Sequence, residues 1–363
     1  MNYTYEEKIC ILFGERALKA TKFFALLEHF GSVKEIADNF CNNATVENIV
    51  GENYRTLSSE LKCAEYEQII ADMDKHGIGA ITYLSPNFPQ LLMEIDDPPY
   101  VLFYRGNVDL LNSRCLAVVG TRKVSSYGRR IATDFTAILC EHFTIVSGLA
   151  YGVDSIAHEV TLKNDGKTVA VLGGGIINVY PSTNQNLADR IVESGGLLVS
   201  EYGLRAVPLP FNFPHRNRIV SGLSAGLLVC QAPLKSGTAS TVDCALNQGR
   251  DVFVVPGEVY DVGFSGSNSY IKSMQGVCVT NPRDIEEYYH LDENRRNVTT
   301  VQLDFDEQKV VDALESGPLT FDKLVEATRL LPAHLNFLLA NLEIKSIIAK
   351  LPGNSYRLYG GLK

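Results

Sequence analysis

The stretch CLAVVGTRKVSSYG, residues 115–128, decides the fold. A short apolar run, 116–120, ends in a glycine, and an amphipathic segment, 127–142, follows it. Apolar run, glycine turn and helix make one β–α unit. The unit recurs: 144–148, 168–173, 197–201, 226–231 and 251–256 read as strands, with helices at 153–163, 184–194 and 240–248. Strands alternating with helices predict a doubly wound, mostly parallel α/β sheet. In such sheets ligands bind at the carboxyl ends of the strands.

The residues expected at those ends are Gly120-Thr121-Arg122, Ser147-Gly148-Leu149-Ala150, Gly173-Gly174-Gly175, the stretch Phe213 to Arg218, and Ser236-Gly237-Thr238. Glycines and hydroxyls in such loops form backbone nests for phosphate. None is a GxGxxG followed by a ribose-binding acid, so no nicotinamide is expected, nor any other cofactor.

In FPHRNR (213–218) two arginines stand two apart behind an aromatic and a proline, and the segment after them opens a helix. Read as an extended loop, Arg216 and Arg218 point the same way, toward one run of phosphates. Phe213 then offers a face to a base. The alternative is a surface loop whose arginines pair with nearby carboxylates. Two acid-free windows favour an anionic ligand. Tyr202 to Val242 carries Arg205, Arg216, Arg218 and Lys235, and Leu110 to Thr133 carries Arg114, Arg122, Lys123, Arg129 and Arg130. The chain's net charge of -9 sits elsewhere: residues 1–104 hold 16 acids and 8 bases, and the other 259 residues hold 26 and 25. A focused anion site in a neutral domain suits this distribution better than a polycation surface.

The flanks read differently. Residues 1–75 look helical, a small module of helix-hairpin-helix or SAM type, whose acidity favours packing or interaction over DNA reading. Gly31-Ser32 ends one helix and caps the next, with Glu35 as capping-box partner. Residues 76–106, with prolines at 86, 89, 98 and 99, read as a connector, and 107–290 as the α/β domain. A polar linker at 292–300 leads to a third unit, 300–363. Helices at 306–315, 320–327 and 332–342 and a hairpin of 346–351 and 355–359 suggest a winged helix. Its third helix carries His334 and Asn336 and no cation before Lys345, so protein contact is expected of it rather than groove reading. The 363 residues hold no apolar run long enough to span a membrane, and MNYTYEEKIC lacks a secretory leader pattern. The eight cysteines are scattered without a CxxC, as befits free thiols in the cytoplasm.

Asp154 and His158 lie four apart on one helix with Glu159 beside them, but no third metal ligand is evident, so His158 is expected to be a packed residue. Ser147 lacks a GxSxG elbow and reads as a phosphate-binding hydroxyl rather than a nucleophile. No catalytic and no metal residue is expected.

These residues resemble the DprA/Smf DNA-processing proteins. The resemblance is carried by VVGTRKVSSYG (118–128), SGLAYGVDSIAH (147–158), TVAVLGGG (168–175), YPSTN (180–184), FPHRNRIVSGLS (213–224), SGTASTVDCALNQGR (236–250) and VPG (255–257). It implies an extended Rossmann-like core that binds single-stranded DNA, works as a homodimer and hands the strand to the RecA recombinase in natural transformation. Carried onto this chain, Gly120, Thr121, Arg122, Ser147 and Gly148 would hold phosphate. Phe213, Arg216, Asn217 and Arg218 would meet strand and bases, and Ser236, Gly237 and Thr238 would close the site. Thr238 and Val242 stand where the family usually has serine and alanine. The other reading is a phosphoribohydrolase of the lysine-decarboxylase-like (LOG) group. That group's PGGxGTxxE loop has no counterpart in Lys235 to Thr241, which lacks the glycine pair and the glutamate.

Overall fold

The computed structural model describes residues 2–291, 303–315, 317–344, 347–351 and 353–358. The chain divides into two compact units, 1–291 and 292–363. The expected linker at 292–300, together with Lys345, Pro352 and Tyr359, lies outside the described residues.

The first unit opens with six helices: α1 (Tyr5–Glu15), α2 (Ala20–Phe30), α3 (Val33–Asp38), α4 (Ala44–Val50), α5 (Tyr54–Lys62) and α6 (Tyr66–Lys75). Thr4 and Glu7 close a capping box on α1. Gly31, at φ 81°, ends α2, and the Ser32 side chain accepts from the Glu35 N–H. The Glu35 carboxylate itself turns to Asn39, so Ser32 caps α3 alone.

The stretch 76–106 is not a connector. It supplies β1 (Gly79–Thr82), the short α7 (Gln90–Met93) and β2 (Val101–Gly106). The β–α units follow: β3 (Cys115–Gly120), α8 (Ser126–Leu139), β4 (Thr144–Ser147), α9 (Val153–Lys163), β5 (Thr168–Val171), α10 (Gln185–Glu193) and β6 (Leu197–Ser200). Then come α11 (Asn212–Gly222), β7 (Gly226–Gln231), α12 (Thr238–Asn247), β8 (Asp251–Val254), α13 (Ser265–Lys272), β9 (Val277–Cys278) and α14 (Pro282–Tyr288). Among the described residues these strands form one nine-stranded sheet, ordered β1-β2-β6-β5-β4-β3-β7-β8-β9. β2 pairs antiparallel with β1 and with β6, and the remaining pairs are parallel.

Both faces of the sheet are covered, which explains apolar runs where a half-exposed strand would alternate. On β3, Leu116 and Val118 pack with α8 and α9, while Cys115, Ala117 and Val119 pack with α11 and α12. The N-terminal helices do not stand apart either. Ile9, Phe13 and Phe23 share a core with Val101 and Phe103 of β2 and Leu198 of β6. Helical layer and sheet are one folded body, so the expected boundaries at 75 and 106 are not structural ones.

The second unit contains α15 (Phe305–Leu314), β10 (Leu319–Thr320), α16 (Phe321–Thr328), α17 (Pro332–Ile344), β11 (Ile348–Leu351) and β12 (Ser355–Leu358). Three helices pack on a three-stranded sheet, ordered β10-β12-β11, around Val310, Leu324, Leu335 and Leu342. This is the expected winged-helix arrangement. Among the described residues, no helix is long and apolar enough to cross a membrane.

Candidate functional site

The sheet reverses its winding at β3: β4, β5 and β6 lie on one side, and β7, β8 and β9 on the other. A crevice forms where neighbouring crossovers diverge in this way. A cleft of about 560 Å³ opens there. Its walls are the loops after β3 (Gly120 to Lys123), β4 (Gly148, Ala150) and β7 (Pro233, Lys235 to Thr238), with Tyr180, Pro208, Pro210 and one face of α11.

The FPHRNR stretch is helical, not extended. Pro214 is the third residue of α11, where a backbone N–H has no intrahelical partner to lose. Phe213, Arg216, Asn217 and Val220 line the cleft at the i, i+3, i+4, i+7 spacing of one helix face. Two residues turn a helix by about 200°, so Arg216 and Arg218 face opposite ways.

Arg216 points into the cleft floor, only 3% exposed. Its Nη1 donates to the Gly148 carbonyl at 2.7 Å and to the Val171 carbonyl. A side chain at Gly148 would place its Cβ 2.4 Å from Arg216 Nη2, so this contact needs glycine. Burial pulls the Arg216 pKa down to about 10, with the Asp154 carboxylate acting against that shift, and the guanidinium stays charged at neutral pH. Asp154 is buried beside it and accepts from the Gly148 and Ala150 N–H groups at 3.1 and 3.3 Å. Burial raises its pKa despite those bonds and Arg216.

Arg218 is outside the cleft. It donates to Glu201 Oε1 at 2.6 Å and to Asp97 Oδ2 at 3.1 Å, and His215 Nε2 lies 3.0 Å from the same Asp97 oxygen. The hydrogen bond from His215, reinforced by Arg218, lowers the Asp97 pKa to about 2. Burial alone would weaken the Arg218 guanidinium, but Glu201 and Asp97 more than offset it and the pKa rises. For Arg218 the carboxylate-pairing alternative is the correct one. The window around it is acid-free in sequence only, since Arg205 likewise pairs with Asp72.

Two other strand-end features are structural. Ser147 is buried in β4, donates to the Val118 carbonyl at 2.7 Å and does not line the cleft. The Gly173–Gly175 turn is filled by chain 204–208: Gly175 N–H donates to Ala206 at 2.8 Å and Ile177 N–H to Leu204 at 3.1 Å. A Cβ on Gly175 would lie 2.4 Å from the Leu204 oxygen. Gly174 and Gly175 admit chain 204–208, and Gly173 admits the Phe213 ring, rather than a phosphate.

What faces the open cleft is cationic and aromatic. Arg122, Lys123 and Lys235 are exposed along its rim. The Arg122 guanidinium lies 5.8 Å from the Phe213 ring centre, and the Tyr180 ring, half-exposed, lies 5.6 Å from Phe213. Ser236-Gly237-Thr238 leads into α12, whose first turn has no side-chain cap. Ser236 Oγ is buried without a partner among the described residues, and a Cβ on Gly237 would meet only open space. An uncapped helix N-terminus presents free N–H groups and its positive dipole end to an anion. Asn217 donates to Ser240 Oγ at 2.8 Å and ties α11 to α12.

Ten of the twelve expected site residues therefore line one cleft, and Ser147 and Arg218 do not. Sequence reasoning did not assign Lys123, Lys235 and Tyr180. The two lysines stood inside the acid-free windows, and Tyr180, in a turn after β5, opened the quoted YPSTN motif without being assigned a role. His158 is a fully buried helix residue with Nδ1 2.7 Å from Thr168 Oγ1, and burial lowers its pKa to about 3. Among the described residues no group of three His, Cys, Asp or Glu side chains could hold a metal ion.

Residues 79–290 match the family described as DNA recombination-mediator protein A, and 296–354 match the DprA winged helix domain. Protein Smf of Escherichia coli is 45% identical over 202 residues, 55% of this chain and 54% of that protein, so the chain spans about half of that relative's length. The DNA processing protein DprA of Streptococcus pneumoniae is 41% identical over 206 residues, 57% of this chain and 72% of that one. The X-ray structure of the S. pneumoniae DprA superposes with a TM-score of 0.64 at 34% identity, covering 79% of this chain and 98% of that one. The DprA of Helicobacter pylori, described for its single-stranded DNA binding mode, superposes at 0.54 with 28% identity over 59% of this chain and 96% of its own. With one family matched across the whole α/β sheet and its winged-helix companion matched beyond it, this chain belongs to the DprA/Smf family of DNA recombination mediators.

Proposed function

We propose that the cleft binds single-stranded DNA, and that the protein acts as a binder and mediator rather than as an enzyme. The observation that carries this reading is the pairing of Arg122, Lys123 and Lys235 with the Phe213–Tyr180 pair around one uncapped helix N-terminus. Cations and free N–H groups suit successive phosphates, and aromatic faces suit any base. A duplex hides its base faces, so the aromatic pair favours unpaired strands. The assignment of the cleft residues as DNA contacts belongs to this proposal. So do the homodimeric working state, the transfer of the strand to RecA and the role in transformation, all of which rest on family likeness.

The test is an anisotropy titration of single- and double-stranded oligonucleotides over a salt series. Tighter binding of the single strand, with a salt slope that falls on neutralising the rim, supports the reading. Equal affinity for duplex, or no binding, overturns it. Incubation with nucleoside monophosphates addresses the phosphoribohydrolase alternative, and release of free base would establish it.

A further inference from the structure

The cationic rim does not stop at the cleft. Lys123 lines it, and two residues later Ser125 caps α8 by accepting from the Gly128 N–H. The chain thus runs from the cleft straight into the first two turns of α8. Their outward face is Tyr127, Arg129 and Arg130, all exposed, while Gly128, Ile131 and Ala132 face the core. The Arg130 guanidinium lies 5.5 Å from the Tyr127 ring centre. Tyr127 is fixed from behind: its ring packs against Phe264 at 5.3 Å and its hydroxyl donates to the Pro256 carbonyl at 3.3 Å. The residue still keeps 41% of its surface exposed.

Tyr127 is thus held at its hydroxyl and against Phe264, with a cation at its ring and part of the residue open to solvent. A second exposed aromatic beside exposed cations repeats, outside the cleft, the chemistry of Phe213 and Arg122. Asp134, one turn further along α8, closes the cationic stretch, so the patch is confined to the helix start.

We propose that Tyr127, Arg129 and Arg130 form a second contact for single-stranded nucleic acid, a step along the strand from the cleft by way of Lys123. Tyr127 stacks one base, and the arginines neutralise the phosphates on either side. The inference rests on the proposed binding in the cleft and extends it. Such a contact operates only on a strand long enough to occupy cleft and helix together.

The experiment therefore compares oligothymidines of ~4 and ~20 nucleotides, which bracket the usual range of single-strand site sizes. The full chain and its Arg129→Ala/Arg130→Ala, Tyr127→Ala and Tyr127→Phe variants are titrated with both. The double arginine variant is expected to flatten the salt slope on the long strand by about 1.4, two phosphates at about 0.7 each. It should leave the short strand unchanged. Tyr127→Ala should weaken the long strand at least fivefold with the slope intact. Tyr127→Phe, which loses the Pro256 bond but keeps the ring, should bind like the parent. Equal effects on both lengths, or no effect on the long strand, overturn the second contact. Failure of the parent to bind the short strand instead overturns the cleft reading itself.

Discussion

Arg218 Nη2 lies 2.6 Å from Glu201 Oε1, and the two side chains keep only 9% and 14% of their surface exposed. Asp97, on the segment between β1 and β2, completes the pair into a triad. The arginine thereby fastens α11 to the end of β6 and to that segment. Removing one partner of a buried ion pair strands the other charge and costs about 3–5 kcal/mol. Arg218→Ala should lose about 3 kcal/mol in urea unfolding, near the low end because Asp97 remains about a third exposed. The folded fraction should bind DNA with an unchanged salt slope. A flatter slope at intact stability would place Arg218 on the strand after all.

Arg122 and Lys235 should behave in the opposite way. Both are exposed on the rim, and neither has a carboxylate partner among the described residues. Arg122→Ala and Lys235→Ala should each reduce the salt slope by about 0.7. Surface substitutions of this kind stay within ±0.5 kcal/mol in stability. A slope that survives both changes would move the phosphates off this rim.

Acid should destabilise the sheet through His158. Its folded pKa, about 3, lies below the ordinary histidine value of about 6.5 because burial disfavours the imidazolium. Between those values the unfolded chain binds the extra proton, so stability is complete above about pH 6.5 and falls as the pH drops toward 3. The limiting slope is about 1.4 kcal/mol per pH unit. His158→Gln, which can retain a bond to Thr168, should flatten unfolding free energy between pH 6.5 and 5 relative to the parent. Asp97 acts in a separate window: its pKa, about 2, means that its contribution is lost only below about pH 4. An unchanged profile in the histidine variant would refute the assignment.

The six parallel strands from β3 to β8 were legible because each is buried on both faces and bounded by glycine, a pattern that local sequence carries by itself. β1, β2 and β9 were not. VC is too short to show a pattern, and GAIT and β2 flank a proline-rich stretch that reads as irregular. Their pairing depends on partners far along the chain, as in Phe103 opposite Ser200. The cleft was legible as a set of strand ends, but side-chain direction was not. Whether Arg216 and Arg218 point together or apart depends on one local choice, loop or helix, and the proline hid it. The carboxylates that hold Arg218 and Arg205 come from residues 97, 201 and 72: Glu201 stands just before the acid-free window, and Asp97 and Asp72 lie more than 100 residues from the arginines they hold.

Shortening the chain at either end should have unequal effects. A fragment beginning at residue 105 would lose Phe13, Val101 and Phe103 together and expose the sheet face they cover, Leu198 included, so it should not fold as a soluble monomer. Ending the chain at residue 291 leaves the first unit whole. On α17 of the second unit, His334 is engaged by Asp306 at 3.2 Å, and the exposed Asn336 and Phe337 bring no positive charge. The 1–291 chain should therefore keep its affinity for a single strand within tenfold, about 1.4 kcal/mol. A larger loss would assign DNA contacts to the winged unit.

Arg122 and Phe213 stand 91 residues apart in sequence and meet across the cleft with guanidinium and ring centre 5.8 Å from each other. In the free protein the cation caps the ring face; on the proposed binding mode, a base stacking on Phe213 would take that place and leave Arg122 for the adjoining phosphate. The two contributions are then coupled, since displacement of the cation onto phosphate accompanies stacking. Phe213→Ala should weaken binding by about 1–3 kcal/mol with the salt slope retained. Arg122→Ala should lower the slope. In the double variant the loss should exceed the sum of the single losses by at least about 0.5 kcal/mol, because each single change already removes the cost of lifting the cation off the ring. The cycle is read at one salt concentration with an oligothymidine, so that stacking strength stays constant across the four proteins. Strict additivity would mean that base and phosphate occupy separate sites, and that the cation over the ring plays no part in binding.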